Sequence, residues 1–146
     1  MWRNSGISYR CGFNGAYTIL KDKGVFISFK DAMVFAAALG FSRKKSVAFD
    51  KTSEPIPLSV FRGEYDEAFI NVLALFEHQD SGYLELDGEK FDAKIKLFEE
   101  YACGGLDIIK NSILDPGLDV QNTIIRLILD EQVEHNIIDD ITALGA

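Results

Sequence analysis

Glu89-Lys-Phe-Asp-Ala-Lys-Ile-Lys-Leu-Phe-Glu-Glu-Tyr-Ala-Cys-Gly-Gly105 is the clearest helical signal in the chain. Phe91, Ile95, Phe98 and Ala102 recur at spacings of four and three, so they share one face of a helix over about residues 89–102. Lys90, Lys94, Glu99 and Glu100 are expected to turn mostly away from that face. Two consecutive glycines, Gly104 and Gly105, are expected to break the helix. A short amphipathic helix then follows, with Leu106, Ile109 and Ile113 on one side, and Asp115-Pro116-Gly117 marks a turn.

Toward the N-terminus, about Tyr65 to Glu77 reads as another helix, with Phe69, Val72, Leu73 and Phe76 as one apolar stripe widened by Ile70 and Leu75. Asp80-Ser81-Gly82 ends it, and Tyr83-Leu84-Glu85-Leu86 alternates over too few residues for more than one short strand or an extended link. Residues 42–62 form a connector in which Pro55 and Pro57 impose an extended path, with Leu58 and Val60 against the core. Before it, Ser28 and Asp31 resemble a capping box. Val34, Ala37, Ala38 and Phe41 follow at helical spacing, and Gly40 is a suitable stop. Residues 1–27 lack helical periodicity and read as irregular, with a short strand near Val25-Phe26-Ile27. On the C-terminal side, a helix from about Leu118 to Val133 buries Val120, Ile124, Leu127 and Ile128. The tail from His135 keeps Ile137, Ile138, Ile141 and Leu144 for packing. The expectation is a mainly α, single compact domain over residues 1–146, with about five helices and one or two short extended segments.

At 146 residues the chain fits one domain, able to bury roughly two thirds of its unfolded surface. No run approaches the roughly 18 apolar residues that cross a bilayer. The N-terminus lacks the apolar core of a secretory signal. Cys11 and Cys103 lie far apart and form no CxxC pair, which argues against a disulfide framework or a zinc site. Cytoplasmic localisation follows as an expectation. The net charge of −8 is unevenly spread: residues 1–63 carry ten Lys/Arg and four Asp/Glu (+6), and residues 64–146 carry five and nineteen (−14). Such a split is either a dipolar surface that steers a partner or the solvated outer faces of acidic helices.

No constellation of an enzyme is recognisable, so no catalytic residue, metal or cofactor is assigned. His78 and His135 each lie near a helix C-terminus, where the helix dipole favours an imidazolium. Cys103 precedes two glycines but continues a buried helix face with no neighbouring His or Arg, so it reads as structural. The adjacent acidic pairs do not converge as metal ligands, and no phosphate-cradling GxxxxGK[ST] loop occurs. Arg43, Lys44 and Lys45, with Lys51 and Arg62 nearby, form the one basic cluster and the candidate nucleic-acid contact. A small patch on an acidic chain also fits a solvated loop.

Three stretches, Phe29-Lys-Asp-Ala-Met-Val-Phe-Ala-Ala-Ala-Leu-Gly-Phe41, Glu54-Pro-Ile-Pro-Leu-Ser-Val-Phe61 and Phe98-Glu-Glu-Tyr-Ala-Cys-Gly-Gly-Leu106, occur in an order and at separations that carry a resemblance. Together they resemble the small proteins associated with DNA phosphorothioation (Dnd) defence gene clusters in bacteria and archaea. The resemblance covers roughly residues 25–115 and leaves out the first 24 residues and the last helix. It implies an accessory or adaptor role among the protein subunits of a DNA-modification defence system, and it brings no catalytic residues. Relatives are expected to carry a polar residue such as Asn in place of Cys103. Ala36, Ala37 and Ala38 permit close helix approach, while Gly104 and Gly105 suit a sharp turn between helices. The leading expectation is a non-enzymatic protein–protein module. The alternative is a nucleic-acid-binding regulator using the 43–51 loop, with no membrane contact in either case. A homodimer through the last helix is a further expectation, since Ile124, Ile125, Leu127, Ile128 and Leu129 cover more than one of its sides.

Overall fold

The computed structural model describes residues 6–7, 14–48, 56–61, 65–85, 88–113, 117 and 119–134, with residues 6–7, 14–16 and 131–134 described by backbone alone. The elements run β1 (Gly6–Ile7), α1 (Asn14–Asp22), α2 (Phe29–Ser42), β2 (Ile56–Pro57), α3 (Asp66–His78), α4 (Gly88–Ser112) and α5 (Val120–Glu134). Leu58–Phe61 and Ser81–Leu84 are single 3-10 turns. The fold is mainly α. Among the described residues two short extended segments pair antiparallel, Gly6 opposite Pro57 and Ile7 opposite Ile56.

α2 and α4 form the most extensive helix pair, and their crossing organises the core. α2 starts where its cap predicts: the Ser28 hydroxyl oxygen accepts from the Asp31 N–H at 3.3 Å and donates to the Asp31 carboxylate at 3.0 Å. Ala36 and Gly40 face α4 and are fully buried. A Cβ added at Gly105 would overlap the Ala36 carbonyl oxygen and lie 2.5 Å from the Ala36 carbonyl carbon. One added at Gly40 would lie 2.9 Å from the Gly105 nitrogen and overlap the Tyr101 carbonyl oxygen. The two backbones therefore touch where the sequence has Ala36 and Gly40 on one side and Gly105 on the other.

This corrects the expected break at Gly104-Gly105, because α4 runs through both glycines without interruption. A glycine inside a helix costs about 1 kcal/mol relative to alanine. Here the close approach of α2 offsets that cost, so tertiary contact overrides local propensity. The separate helix expected around Leu106 and Ile109 is the second half of α4, with both residues fully buried.

Other corrections follow from how little local signal some elements carry. Residues 14–22 are helical, not irregular. Within the described part of so short a helix, only Tyr17 and Leu20 reach the core, a single i, i+3 pair. Val25-Phe26-Ile27 is a bend instead of a strand; Phe26 packs on Phe35 with ring centroids 5.3 Å apart, while Ile27 is exposed. Tyr83 and Leu84 lie in a 3-10 turn, held by the Asp80 carboxylate accepting from the Gly82 N–H at 2.8 Å. In the connector, Leu58 and Phe61 enter the core, and Val60 is exposed. Lys94 and Glu99 of α4 are buried instead of turned away. Pro55, expected with Pro57 to impose an extended path, and the tail from His135, expected to pack, lie outside the described residues.

Candidate interaction surface

The basic loop follows directly from the end of α2. Arg43 caps the helix, Lys44 adopts the left-handed conformation at φ +53°, and Lys45 begins a run without regular secondary structure. The Lys45 N–H donates to the Gly40 carbonyl at 2.8 Å and the Lys44 N–H to the Phe41 carbonyl at 3.1 Å, which is the Schellman arrangement. α1 closes the same way, with Val25 donating to Leu20 and Gly24 to Lys21, both at 3.0 Å. There glycine, Gly24 at φ +69°, holds the left-handed position that Lys44 holds after α2.

The loop is seated on α4. The Val47 N–H donates to the Glu100 carbonyl at 3.0 Å, and the Lys45 ammonium pairs with the Asp107 carboxylate. A Cβ at Gly104 would overlap the Lys45 carbonyl oxygen and lie 2.6 Å from its carbon, so this glycine makes room for the loop as Gly105 does for α2. Arg43 and Lys44 are exposed, Lys45 is engaged by Asp107, and Lys51 and Arg62 lie outside the described residues. Cations at a helix C-terminus also complement the helix dipole, which gives this cluster a local structural reason. Lys30 makes the second bridge from the basic half to the acidic half, donating to Asp66 of α3 at 2.7 Å. Part of the charge split is thus spent holding α2 to its neighbours.

α3 shows the larger departure from expectation. At about 100° per residue, Tyr65, Ala68, Val72, Leu75, Phe76 and Gln79 occupy a strip spanning about 100° of the helix circumference. Tyr65 is 77% exposed, Val72 58% and Phe76 66%, while Ala68 and Gln79 are exposed as well. The buried side is Ile70, Leu73 and Ala74, so the expected stripe of Phe69, Val72, Leu73 and Phe76 joined residues from two faces. The acidic residues of α3 lie off the outward strip. Asp66 accepts from Lys30, Glu77 accepts from the Tyr101 hydroxyl, and Glu67 lies on the Lys94 side. An outward face without charge is the reverse of the usual surface helix.

α5 repeats the pattern on a smaller scale. Ile124 and Leu127 are buried, whereas Ile125, Ile128 and Leu129 are exposed together with Gln121 and Asn122. The expected burial of Ile128 is corrected: it lies about 100° round the helix from Leu127, at the edge of the outward strip, and is exposed. Arg126 and Asp130 fall beside this strip and not on it, which again leaves its centre uncharged.

The remaining sequence candidates sit as follows. Cys103 is 1% exposed in the middle of α4, which closes it to bulky reagents in the folded state. His78 lies exposed in the last turn of α3 and stacks on Tyr83, with ring centroids 4.0 Å apart and planes 4° from parallel. His135 and Cys11 fall outside the described residues. Buried polar groups escaped sequence reasoning too, Lys94 and Tyr101 among them. Lys94 donates to the Asn71 side-chain oxygen at 2.8 Å and the Glu85 carbonyl at 3.3 Å, and burial pushes its pKa down against the pull of Glu67. Burial, reinforced by the bond to Glu77, pushes the Tyr101 phenol up to about 12. Both tie α3 to α4. Among the described residues no group of three or more His, Cys, Asp or Glu is placed to hold a metal ion, and no helix is long and apolar enough to cross a membrane.

The family model of the DNA sulphur modification system-associated protein 4 matches residues 17–144. The chain belongs to that family. The match takes in α1 and α5 as well as the three quoted stretches, so it reaches beyond the resemblance read from residues 25–115. No curated protein and no solved structure gives a significant match. Family membership associates the chain with a DNA sulphur modification system. Within the stretches quoted for the resemblance, Ala36, Gly40, Gly104 and Gly105 build the α2–α4 crossing and the seat of the basic loop.

Proposed function

We propose that the protein is a non-enzymatic, cytoplasmic accessory component of a DNA sulphur modification system, and that it works through protein–protein contacts as an adaptor in antiviral defence. One observation carries this reading: two separate helices, α3 and α5, turn uncharged apolar strips outward in a chain that is 26% charged. Strips of this kind are where partners exclude water. The test is co-purification of the tagged chain with the components of the modification system. Ile125→Asp and Leu129→Asp, checked for an unchanged circular dichroism spectrum, are expected to abolish recovery of those components. Recovery undiminished by both changes, and by Phe76→Asp on α3, removes the reading.

A second reading, a nucleic-acid-binding regulator, is favoured by Lys44. Its backbone conformation suits glycine better, so backbone geometry does not dictate a lysine there. Arg43 and Lys44 would contact phosphates, while Lys45 stays with Asp107. Duplex DNA retardation that weakens steeply with salt and disappears in Arg43→Ala/Lys44→Ala supports it. Absence of retardation at low salt eliminates it.

A further inference from the structure

α3 and α5 both turn apolar strips outward, but they are fastened differently. Side chains tie α3 to two other helices. Asp66 accepts from Lys30 of α2 at 2.7 Å, Asn71 accepts from Lys94 of α4 at 2.8 Å, and Glu77 accepts from the Tyr101 hydroxyl of α4. The polar contacts of α5 stay at its own start. The Asp119 carboxylate accepts from the Gln121 N–H at 3.0 Å and from the Asn122 side-chain amide at 3.1 Å. The Asp119 carbonyl accepts from the Thr123 hydroxyl at 2.9 Å and from the Thr123 N–H at 3.0 Å. Among the described residues no α5 side chain forms a hydrogen bond or ion pair with another element.

Apolar packing is what holds α5 to the rest of the described fold. Its described buried side chains, Ile124 and Leu127, join the core, with half-buried Val120 beside them. Among the described residues no helix approaches the backbones of its neighbours less closely. Two side chains one turn apart are a narrow base for a fifteen-residue helix, whereas α4 is buried along most of its length from Phe91 to Ile109. The Asp119 cap travels with α5, so leaving the core gives up apolar burial and none of the polar contacts that fasten α3. We infer that α5 is a detachable arm. It undocks from the core as a unit, in an opening separate from global unfolding and more frequent, while α3 stays fastened. Docked, the arm presents Ile125, Ile128 and Leu129; undocked, it presents Ile124 and Leu127 as well. The opening therefore sets how much apolar surface α5 offers. This goes beyond the adaptor reading and does not depend on it.

Native-state hydrogen exchange of the full chain, over a series of urea concentrations below the unfolding transition, tests this. An undocked helix of fifteen residues is marginal in water and does not protect its own amides. The amides of Ile124 to Leu129 are expected to exchange at least about 100-fold faster than those of Phe98 to Ile109 in α4. Their urea dependence is expected to be shallow, because undocking exposes far less surface than unfolding. The amides of α3 are expected to follow those of α4. Thiol chemistry gives a second readout. In a Cys11→Ser background carrying Leu127→Cys, the thiol at residue 127 is expected to react with iodoacetamide at least about tenfold faster than Cys103, which is buried in α4. Exchange of α5 at the rate and urea slope of α4 overturns the inference, as does a thiol at residue 127 no faster than Cys103. Opening of α3 together with α5 overturns it too, since the polar ties would then make no difference. Because both readouts use the chain alone, their failure leaves the co-purification result standing, and the reverse holds as well.

Discussion

The α2–α4 crossing and the outer strips of α3 and α5 are built from similar material, small and apolar residues at helical spacing, yet they do opposite things. At the crossing, Ala36, Gly40 and Gly105 bring two backbones into contact and nothing remains exposed. On the outer strips, Val72, Ile125 and Leu129 are exposed, and Phe76 is largely exposed with one edge against the Phe41 ring, centroids 5.1 Å apart, while the charged residues of α3 lie off the strip. Two of the three stretches that carry the family resemblance converge on the crossing. They hold the chain together, and the exposed apolar strips lie on helices outside all three stretches.

The largest expected effect breaks the crossing. Gly105→Ala places a methyl group within the Ala36 carbonyl, where both contacting groups are helical backbone and neither can rotate away. Alanine gains about 1 kcal/mol in helix propensity, but the overlap is expected to cost at least about 3 kcal/mol net, read as a lowered denaturant midpoint. Gly104→Ala is expected to cost less, because the Lys45–Ser46 segment it meets is a loop that can shift. Near-equal stability of Gly105→Ala and the parent chain contradicts the backbone contact.

A second effect sharpens the inner side of α3. The Tyr101 phenol is pushed up to about 12 from an ordinary value of 10.0. The unfolded phenol ionises first, so its stabilisation is complete below pH 10 and is lost as pH rises toward 12. Lys94, held below its usual range, acts with the opposite sign in the window under 10.5. The difference between the parent chain and Tyr101→Phe isolates the tyrosine. That difference is expected to shrink by on the order of 1 kcal/mol across the alkaline window, discounted because Glu77 is exposed. An alkaline decline identical in both proteins contradicts the assignment.

How much was legible depended on whether local pattern and tertiary contact agreed. The Ser28 cap, the buried face of Phe91, Ile95, Phe98 and Ala102, and the mainly α class all follow from periodicity, and the structure keeps them. Gly104-Gly105 was misread because a glycine pair looks the same whether it ends a helix or admits another one, and only the position of α2 distinguishes the two. The α3 stripe was misread because apolar residues surround most of that helix; hydrophobicity locates a face only where charges mark the opposite one. The spacing of Tyr65, Ala68, Val72, Leu75 and Gln79 was present in the sequence, but it signals an outward seam only once Asp66 and Glu77 are seen to point elsewhere. Of the basic cluster, Arg43 and Lys44 are exposed as the sequence implies, while the pairing of Lys45 with Asp107, sixty-two residues away, was invisible.

A smaller effect compares two helix ends. Lys44→Gly relieves a left-handed lysine and is expected to stabilise by about 1 kcal/mol, raising the melting temperature by roughly 2–4 °C. Gly24→Ala, with open space around its Cβ but φ at +69°, is expected to lose a similar amount. If Lys44→Gly also abolishes DNA retardation, the strained lysine serves binding. If it stabilises without changing any interaction, the basic loop is a helix cap and no more.

The smallest expected effect is the one on which the surface reading rests, and two neighbouring residues deliver it. Ile124 and Ile125 have the same side chain on the same turn of α5, one buried in the core and the other on the outward strip. Ile124→Ser removes buried apolar volume and leaves a hydroxyl to satisfy, so a loss of about 3 kcal/mol is expected. Ile125→Ser is expected to stay within about 0.5 kcal/mol of the parent chain, as exposed substitutions do, while weakening recovery of the modification-system components. Equal losses at the two positions mean that residue 125 is covered in the folded monomer. The α5 strip is then part of the core, and the contrast between a closed crossing and open outer faces holds for α3 alone.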